Sequence, residues 1–469
     1  MEQTNRSKLI KQITGIVLAV LSMAAAYSIN IDGLSEQAEH TMGVTLATLF
    51  LLIFEPLNVC VTCMLSSAAL FAFGCVGTIS EGFSGFSNHI LYFTTASFGI
   101  SFAFQKSALS KQLLRTVMKG KKISVRKLIF IFMLCSALLS SIMSNVAAAV
   151  IFLPYAETFL GFISDEAKRK KTKRCIMMCI TVAAMEGGMI TPAGSSMNLI
   201  CLDMLERYTD KTIRFIDWMK IGMPLAFLMV VISFLIISAV YPPEEPEKDE
   251  MKAYLDRISA PSPVSGKDIY AASVILGIVS AWLISSWVPV INITVAAVFG
   301  LALMFIPKFG IITYEEFASS ISWPTFFVAG NLISVANAVI ATGLCDYFTG
   351  LVFPDRAGGN QIAAIIQTAA ITFVFMALLP SAPAVITILT PIIINFASNN
   401  GFDPMTLVMA SALCVSNIYL FPLDAPLVAA YDRKAFTMFE LPKATVWIQL
   451  SMVFIVPVWV SFAFSALIR

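Results

Sequence analysis

Ser140-Ser141-Ile142-Met143-Ser144-Asn145 sets hydroxyl and amide side chains in the middle of an apolar stretch, Leu128 to Phe162, that carries no charge from Leu128 to Ala156. Neutral serine and asparagine oxygens suit a hard cation such as sodium, and the unpaired amides at a helix N-terminus suit an anion. A second set lies in the apolar segment from Cys175 to Met204, which is interrupted at Gly187-Gly188 and at Gly194-Ser195-Ser196 and carries Gly194, Ser195 and Asn198. The later part of the chain offers less: Ser381 stands almost alone in Pro380-Ser381-Ala382-Pro383, and Asp424 lies within Pro422-Leu423-Asp424-Ala425-Pro426. Glu186, just before Gly187-Gly188, is a second acid inside an apolar segment. An ionisable group at membrane depth costs about 3 kcal/mol on the lenient scale and is by default a functional candidate. Asp424 and Glu186 are therefore candidates for binding an ion or a proton. The bland readings are an acid held by neighbouring backbone amides for Asp424 and a structural hydrogen bond to a partner helix for Glu186.

These residues need an unusual frame. Residues 128–162 are far too many for one crossing of about 20 residues, and hydrocarbon offers no partner to serine, asparagine or irregular backbone. The stretch is therefore expected to be a re-entrant hairpin with a binding tip; one tilted helix with serines bonded back onto its own turns is the alternative. The 469 residues are 58% hydrophobic and only 13% charged, against about a quarter charged in soluble domains, so the chain is read as an all-α polytopic membrane protein. A net charge of +2 without a long basic face argues against a nucleic-acid partner. The nine cysteines are scattered through apolar stretches, and Cys60-x-x-Cys63 with only two histidines, His40 and His89, in the chain makes a weak zinc signal. Both histidines are expected in outer loops, and no catalytic pattern accompanies them, so no enzyme and no cofactor is expected.

The apolar segments give eleven transmembrane helices plus two re-entrant hairpins. Residues 1–40 are an N-terminal helix and outer loop, and 41–241 form a first repeat with its hairpin at 128–162. Residues 242–267, proline-rich and charged, are a cytoplasmic linker and hinge, and 268–469 form a second repeat with its hairpin at 361–398. With the N-terminus cytoplasmic, 25 of the 31 Lys and Arg fall inside, the bias expected of a multi-pass protein in the cytoplasmic (inner) membrane. This places the mouth of the first hairpin on the cytoplasmic side and that of the second outside. Glu81 to Asn88 leads into a helix ending Ser107-Ala108-Leu109, as Glu316 to Trp323 leads into one ending Thr342-Gly343-Leu344. Five crossings per copy make the two copies inverted, the architecture of secondary transporters with a site between paired broken helices.

The ordered motifs Glu55-Pro56, Ser84-Gly85-Phe86-Ser87-Asn88, Ser144-Asn145-Val146, Gly187 to Asn198, Ser381-Ala382-Pro383 and Pro422 to Pro426 resemble those of the divalent anion:sodium symporter family, over nearly the whole chain. The resemblance implies transport of di- or tricarboxylates or sulfate, and a homodimer in which a scaffold domain holds still while an elevator-type transport domain carries both hairpins. It implies that Ser140, Ser144, Asn145 and Gly194 match the first sodium site, that Asn145 also touches a substrate carboxylate, and that the substrate lies among Asn145, Val146, Ser195, Asn198, Ser381, Ala382, Pro383, Ala425 and Pro426. Three departures bear on specificity. Val146 lacks the hydroxyl of the family's Thr, Ala382 and Pro383 replace its second Asn and Thr, and Val428 stands where the break's Asn belongs. Asp424, usually a small residue in the family, is a candidate sodium ligand in place of that lost Asn. The expected function is sodium-coupled symport of a small (di)carboxylate or other anion; the alternative is a proton-coupled anion carrier or a cation/proton exchanger using Asp424 and Glu186. Glu55 is expected to be structural, and Lys106 and Lys111 to form a solvated face.

Overall fold

The structure is a computed structural model that describes residues 2–118, 123–259, 263–288, 290–353, 360–378, 382–415, 417, 419–420 and 424–467. The described regular elements are helical. The first half holds α1 (Glu2–Ser28), α2 (Glu36–Phe54), α3 (Val59–Ala72), α4 (Ile79–Gly82), α5 (His89–Lys106), α6 (Leu109–Met118), α7 (Val125–Ser140), α8 (Asn145–Gly161), α9 (Glu166–Gly187), α10 (Ser196–Thr209) and α11 (Phe215–Val240). After α12 (Lys248–Ser259) come α13 (Gly266–Ile284), α14 (Ile293–Leu303), α15 (Tyr314–Ser320), α16 (Trp323–Ala341), α17 (Leu344–Val352), α18 (Gln361–Leu378), α19 (Ala382–Asn399), α20 (Pro404–Val415), α21 (Ala425–Asp432) and α22 (Leu441–Leu467). Seven described helices are long and apolar enough to cross a membrane, and five more apolar helices of 10–17 residues include α8, the second arm of the expected first hairpin.

Local sequence explains the matched entries of the two halves. Thr78 and Glu81 cap α4 reciprocally, each side chain taking the other residue's backbone amide, and Thr313 and Glu316 cap α15 in the same way. Each short helix leads into a long apolar one, α5 or α16, followed at once by the short helix α6 or α17. His40 lies within α2, stacked on Tyr27 at 3.9 Å, and His89 opens α5, so neither histidine sits in a loop as expected.

The chain divides into two compact units. The first comprises Met1–Tyr92, Ile200–Thr212 and Ser322–Ser411. In it α1 lies along α2, and α16 packs on α3, on the 3-10 turn Ser84–Ser87 and on α19. Asn331, Ser334 and Asn337, three residues apart on one face of α16, bond the Ser67 hydroxyl, the Gly85 amide and the Ser84 hydroxyl at 2.9–3.0 Å. The Ser84-Gly85 signature is thus a seat for α16. Helices α18 and α19 contact each other.

The second unit comprises Phe93–Leu199, Ile213–Ile321 and Ala412–Arg469. Its axis is α9, buried without interruption from Cys175 to Gly187 and packed against α7, α8, α11 and α21. The segment 242–267, expected to be a hinge, instead holds a helix bound to this unit. Met251, Tyr254 and Ile258 line the buried face of α12 at helical spacing, and Tyr254 meets Phe159 and Phe162 with ring centroids 5.0 and 5.9 Å apart. Glu245 accepts from the Val125 amide that opens α7, Glu250 from the Ser164 amide, and Glu244 pairs with Lys171 at 2.7 Å. Bonding to Ser164 holds the Glu250 carboxyl below the usual range. Lys106 is not a freely solvated cation: it reaches both Glu316 oxygens, at 2.6 and 2.8 Å, and holds that carboxyl below its usual range.

Candidate functional site

The chain breaks where its polar residues interrupt the apolar run. Helix α7 ends at Ser140 and α8 begins at Asn145, packed back on α7, so the stretch is two helices around a short turn and not one tilted rod. Ser144 caps α8 by accepting from the Ala147 amide at 3.3 Å; the amides of a helix's first turn have no intrahelical carbonyls, which gives the tip of α8 partial positive charge. Ser140 donates its hydroxyl to Asn145 Oδ1 at 2.8 Å, tying the two arms across the turn, and the Thr191 hydroxyl donates to the Ser141 carbonyl.

The second interruption seats against the first. A methyl group at Gly187 would lie 2.2 Å from the Ala137 carbonyl oxygen, so only glycine lets α9 press onto α7 there. At Gly188 the same methyl would fall 2.6 Å from Asn145 Oδ1: the asparagine amide lies directly on the glycine. The position of a Cβ at Gly194 is 2.8 Å from the Gly188 carbonyl oxygen and 3.1 Å from that of Ser140. The Gly188 and Ser140 carbonyl oxygens therefore flank Gly194, and Asn145 Oδ1, bonded by the Ser140 hydroxyl, lies against Gly188; all are neutral oxygens. Ser140, Gly188 and Gly194 are buried, whereas Ser144, Asn145, Val146 and Ser195 are half-buried and form a rim. Asn198, expected on that rim, is fully buried; its amide nitrogen donates to the Gly188 and Thr191 carbonyls at 2.8 and 3.1 Å, and its Oδ1 has no partner. Its observed work is to hold the break in shape.

Asp424 caps α21, accepting the Ala425 amide at 2.8 Å, and is half-buried. Ala425 is exposed and Pro426 buried. Because α21 packs on α8 and α9, this break joins the arms of the first in one unit. Glu186 is fully buried: one oxygen accepts from the Ser233 hydroxyl on α11, and Oε2 has no partner. Asn417 and Tyr419 were missed by reading the sequence. Asn417 is fully buried and accepts the Tyr419 hydroxyl at 2.6 Å, and Tyr419 is bound through its backbone to Gln449 and Thr445 of α22. The signal was present as Ser416-Asn417, a second copy of the Ser-Asn pair at 144–145.

In the first unit Ala382 and Pro383 open α19 and are half-buried; Ser381 lies outside the described residues. The expected place of Ser381 among the substrate-binding residues thus falls outside the described residues.

A family model described as the sodium:sulfate symporter transmembrane region matches residues 8–463. The chain is 21% identical over 454 residues to the sodium-dependent dicarboxylate transporter SdcS of Staphylococcus saprophyticus, covering 91% of this chain and 86% of that one. It is 24% identical over 331 residues to the chloroplastic dicarboxylate transporter 1 of Spinacia oleracea, covering 68% and 56%. Among solved structures, the YdaH transporter of Alcanivorax borkumensis aligns with a TM-score of 0.54 at 14% identity over 89% of this chain and 99% of that one. MtrF of Neisseria gonorrhoeae, described as illuminating a class of antimetabolite efflux pumps, aligns at 0.56 and 14% over 97% and 94%. Likeness at that identity speaks for the fold alone.

Proposed function

The chain belongs to the sodium:sulfate symporter family, the divalent anion:sodium symporters, and from that premise we propose a sodium-coupled symporter of a small anion, a dicarboxylate or one less polar. It is a multi-pass membrane transporter and not an enzyme. The observation that carries the reading is the clustering of neutral oxygens at the Gly188–Gly194 break: the Ser140 and Gly188 carbonyls beside Gly194, and Asn145 Oδ1, bonded by the Ser140 hydroxyl, against Gly188. Such oxygens match a hard monovalent cation. The positive tip of α8, with the half-buried Asn145 and Val146, lies beside them for the anion. A cation bound next to an anion binds it more tightly, and by linkage the anion strengthens the cation equally, which is the thermodynamic core of symport.

In the full proposal the protein is a homodimer in the cytoplasmic membrane with its N-terminus inside, the hairpins are re-entrant, and access alternates by an elevator motion. The positive-inside bias supports the cytoplasmic N-terminus, and the sodium dependence in the name of the SdcS relative supports sodium as the coupling ion. The missing hydroxyl at Val146 favours a substrate that needs fewer hydrogen bonds than succinate.

A proton-coupled carrier is the second reading, favoured by the unpartnered Oε2 of the buried Glu186. Uptake of labelled succinate, sulfate and short monocarboxylates into proteoliposomes separates the two. An inward sodium gradient drives uptake under the first, and a proton gradient drives it in potassium alone under the second. A sodium gradient without effect on any of these anions refutes the first.

A further inference from the structure

We propose that the second unit carries a phosphate-binding cleft that takes the headgroup of an anionic phospholipid. The cleft, of about 520 Å³, lies between the first turns of α9 and the segment that follows α21, away from the oxygens around Gly194. Lys170, Lys173, Arg174 and Lys434 line it, against two carboxylates, Asp432 and Glu440. Glu440 is already committed: one oxygen pairs with Arg174 at 2.7 Å and the other accepts the Thr437 amide at 2.7 Å. Lys173 donates to the Arg433 carbonyl at 2.7 Å, a contact that fixes the ammonium without cancelling its charge. Neither Lys170 nor Lys434 joins an ion pair among the described residues. Positive charge is thus left over in a walled space, the condition for capturing a phosphodiester.

The source of the phosphate follows from what borders the cations. Tyr431, Met438 and Phe439 are 41%, 42% and 77% exposed, and the last two lie between the lining residues Thr437 and Glu440. Large apolar side chains bared next to basic ones at the end of membrane helices match the interface, where acyl chains cover the former and headgroups meet the latter. A free phosphate would leave Met438 and Phe439 in water. A bound lipid would tie the start of α9 to the end of α21, the two helices whose far ends form the breaks at Gly188 and Asp424. The inference does not depend on which solute is transported.

The test is native mass spectrometry of the full chain in neutral detergent, titrated with phosphatidylglycerol or phosphatidylcholine of the same acyl chains, with glycerol 3-phosphate as competitor. Wild type is expected to retain phosphatidylglycerol at least about fivefold over phosphatidylcholine. Lys170→Gln combined with Lys434→Gly is expected to lose about tenfold, and exposed Lys252→Gln to lose nothing. Lys434 has φ +54°, a conformation that glycine adopts without strain, so the substitution at 434 removes a cation while favouring the fold. Retention unaffected by the double variant, or equal for the two lipids, overturns the cleft. Full displacement of phosphatidylglycerol by equimolar glycerol 3-phosphate supports the phosphate site and overturns the lipid as its source.

Discussion

The break around Asn145 and the break around Asp424 meet in the same unit, yet they are built from opposite chemistry. The first gathers neutral oxygens from Ser140, Asn145 and Gly188 over glycines packed closely on the Ala137 backbone and the Asn145 amide. The second offers a single carboxylate, spent on capping α21. At α19, Ala382 and Pro383 contribute no side-chain oxygen at all.

The largest effect should come from the richer side. Asn145→Ala removes the amide lying on Gly188 and should lower anion uptake ten- to a hundredfold, the scale of about 1.5–3 kcal/mol for a hydrogen bond to a charged group; an uptake rate within twofold of wild type would remove Asn145 from the site. Gly187→Ala should cost about 1–3 kcal/mol by forcing α9 off α7, read as a fall in thermal midpoint. An unchanged midpoint would mean that the contact at Ala137 is slack. Asp424→Asn sharpens the comparison, because asparagine caps helices as well as aspartate. Stability should stay within about 0.5 kcal/mol while the sodium concentration for half-maximal uptake rises severalfold. If neither moves, Asp424 is a cap and nothing more. Val146→Thr restores a hydroxyl at the rim and should tighten dicarboxylates two- to tenfold, about 0.5–1.5 kcal/mol, with monocarboxylates unaffected.

The smallest effect tests the strap at α12. Glu250 has its carboxyl lowered by Ser164, so its contribution is complete above the unfolded carboxylate range and fades as pH falls through the lower folded value. The thermal midpoints of wild type and Glu250→Gln should therefore differ at pH 7 and converge on acidification to below the usual glutamate range.

The first break was legible because polar side chains inside an apolar run have few physical explanations. Gly187-Gly188 was legible for a related reason, since paired glycines weaken a helix unless close packing needs them. The strap was not. Pro242-Pro243 and a charged run read as a solvated hinge, and the apolar face of α12 amounts to three residues whose partners, Phe159 and Phe162, lie about ninety positions earlier. Asn198 sits in the break as the sequence suggests, but that its amide nitrogen is spent on the Gly188 and Thr191 carbonyls leaves no trace in the spacing. Asn417 was overlooked because Pro422 and Asp424, a few residues on, marked the interruption more loudly. The ion pair between Lys106 and Glu316 spans 210 positions and leaves no local trace.

Binding of a small anion to purified protein, followed calorimetrically in sodium and in potassium at equal ionic strength, tests the coupling at Asn145 most directly. Sodium should tighten the anion at least about tenfold in wild type, a coupling of about 1.4 kcal/mol, and leave Asn145→Ala with the potassium value. Equal affinities in the two salts, or sodium enhancement that survives in Asn145→Ala, would contradict a cation held by the oxygens around Gly194.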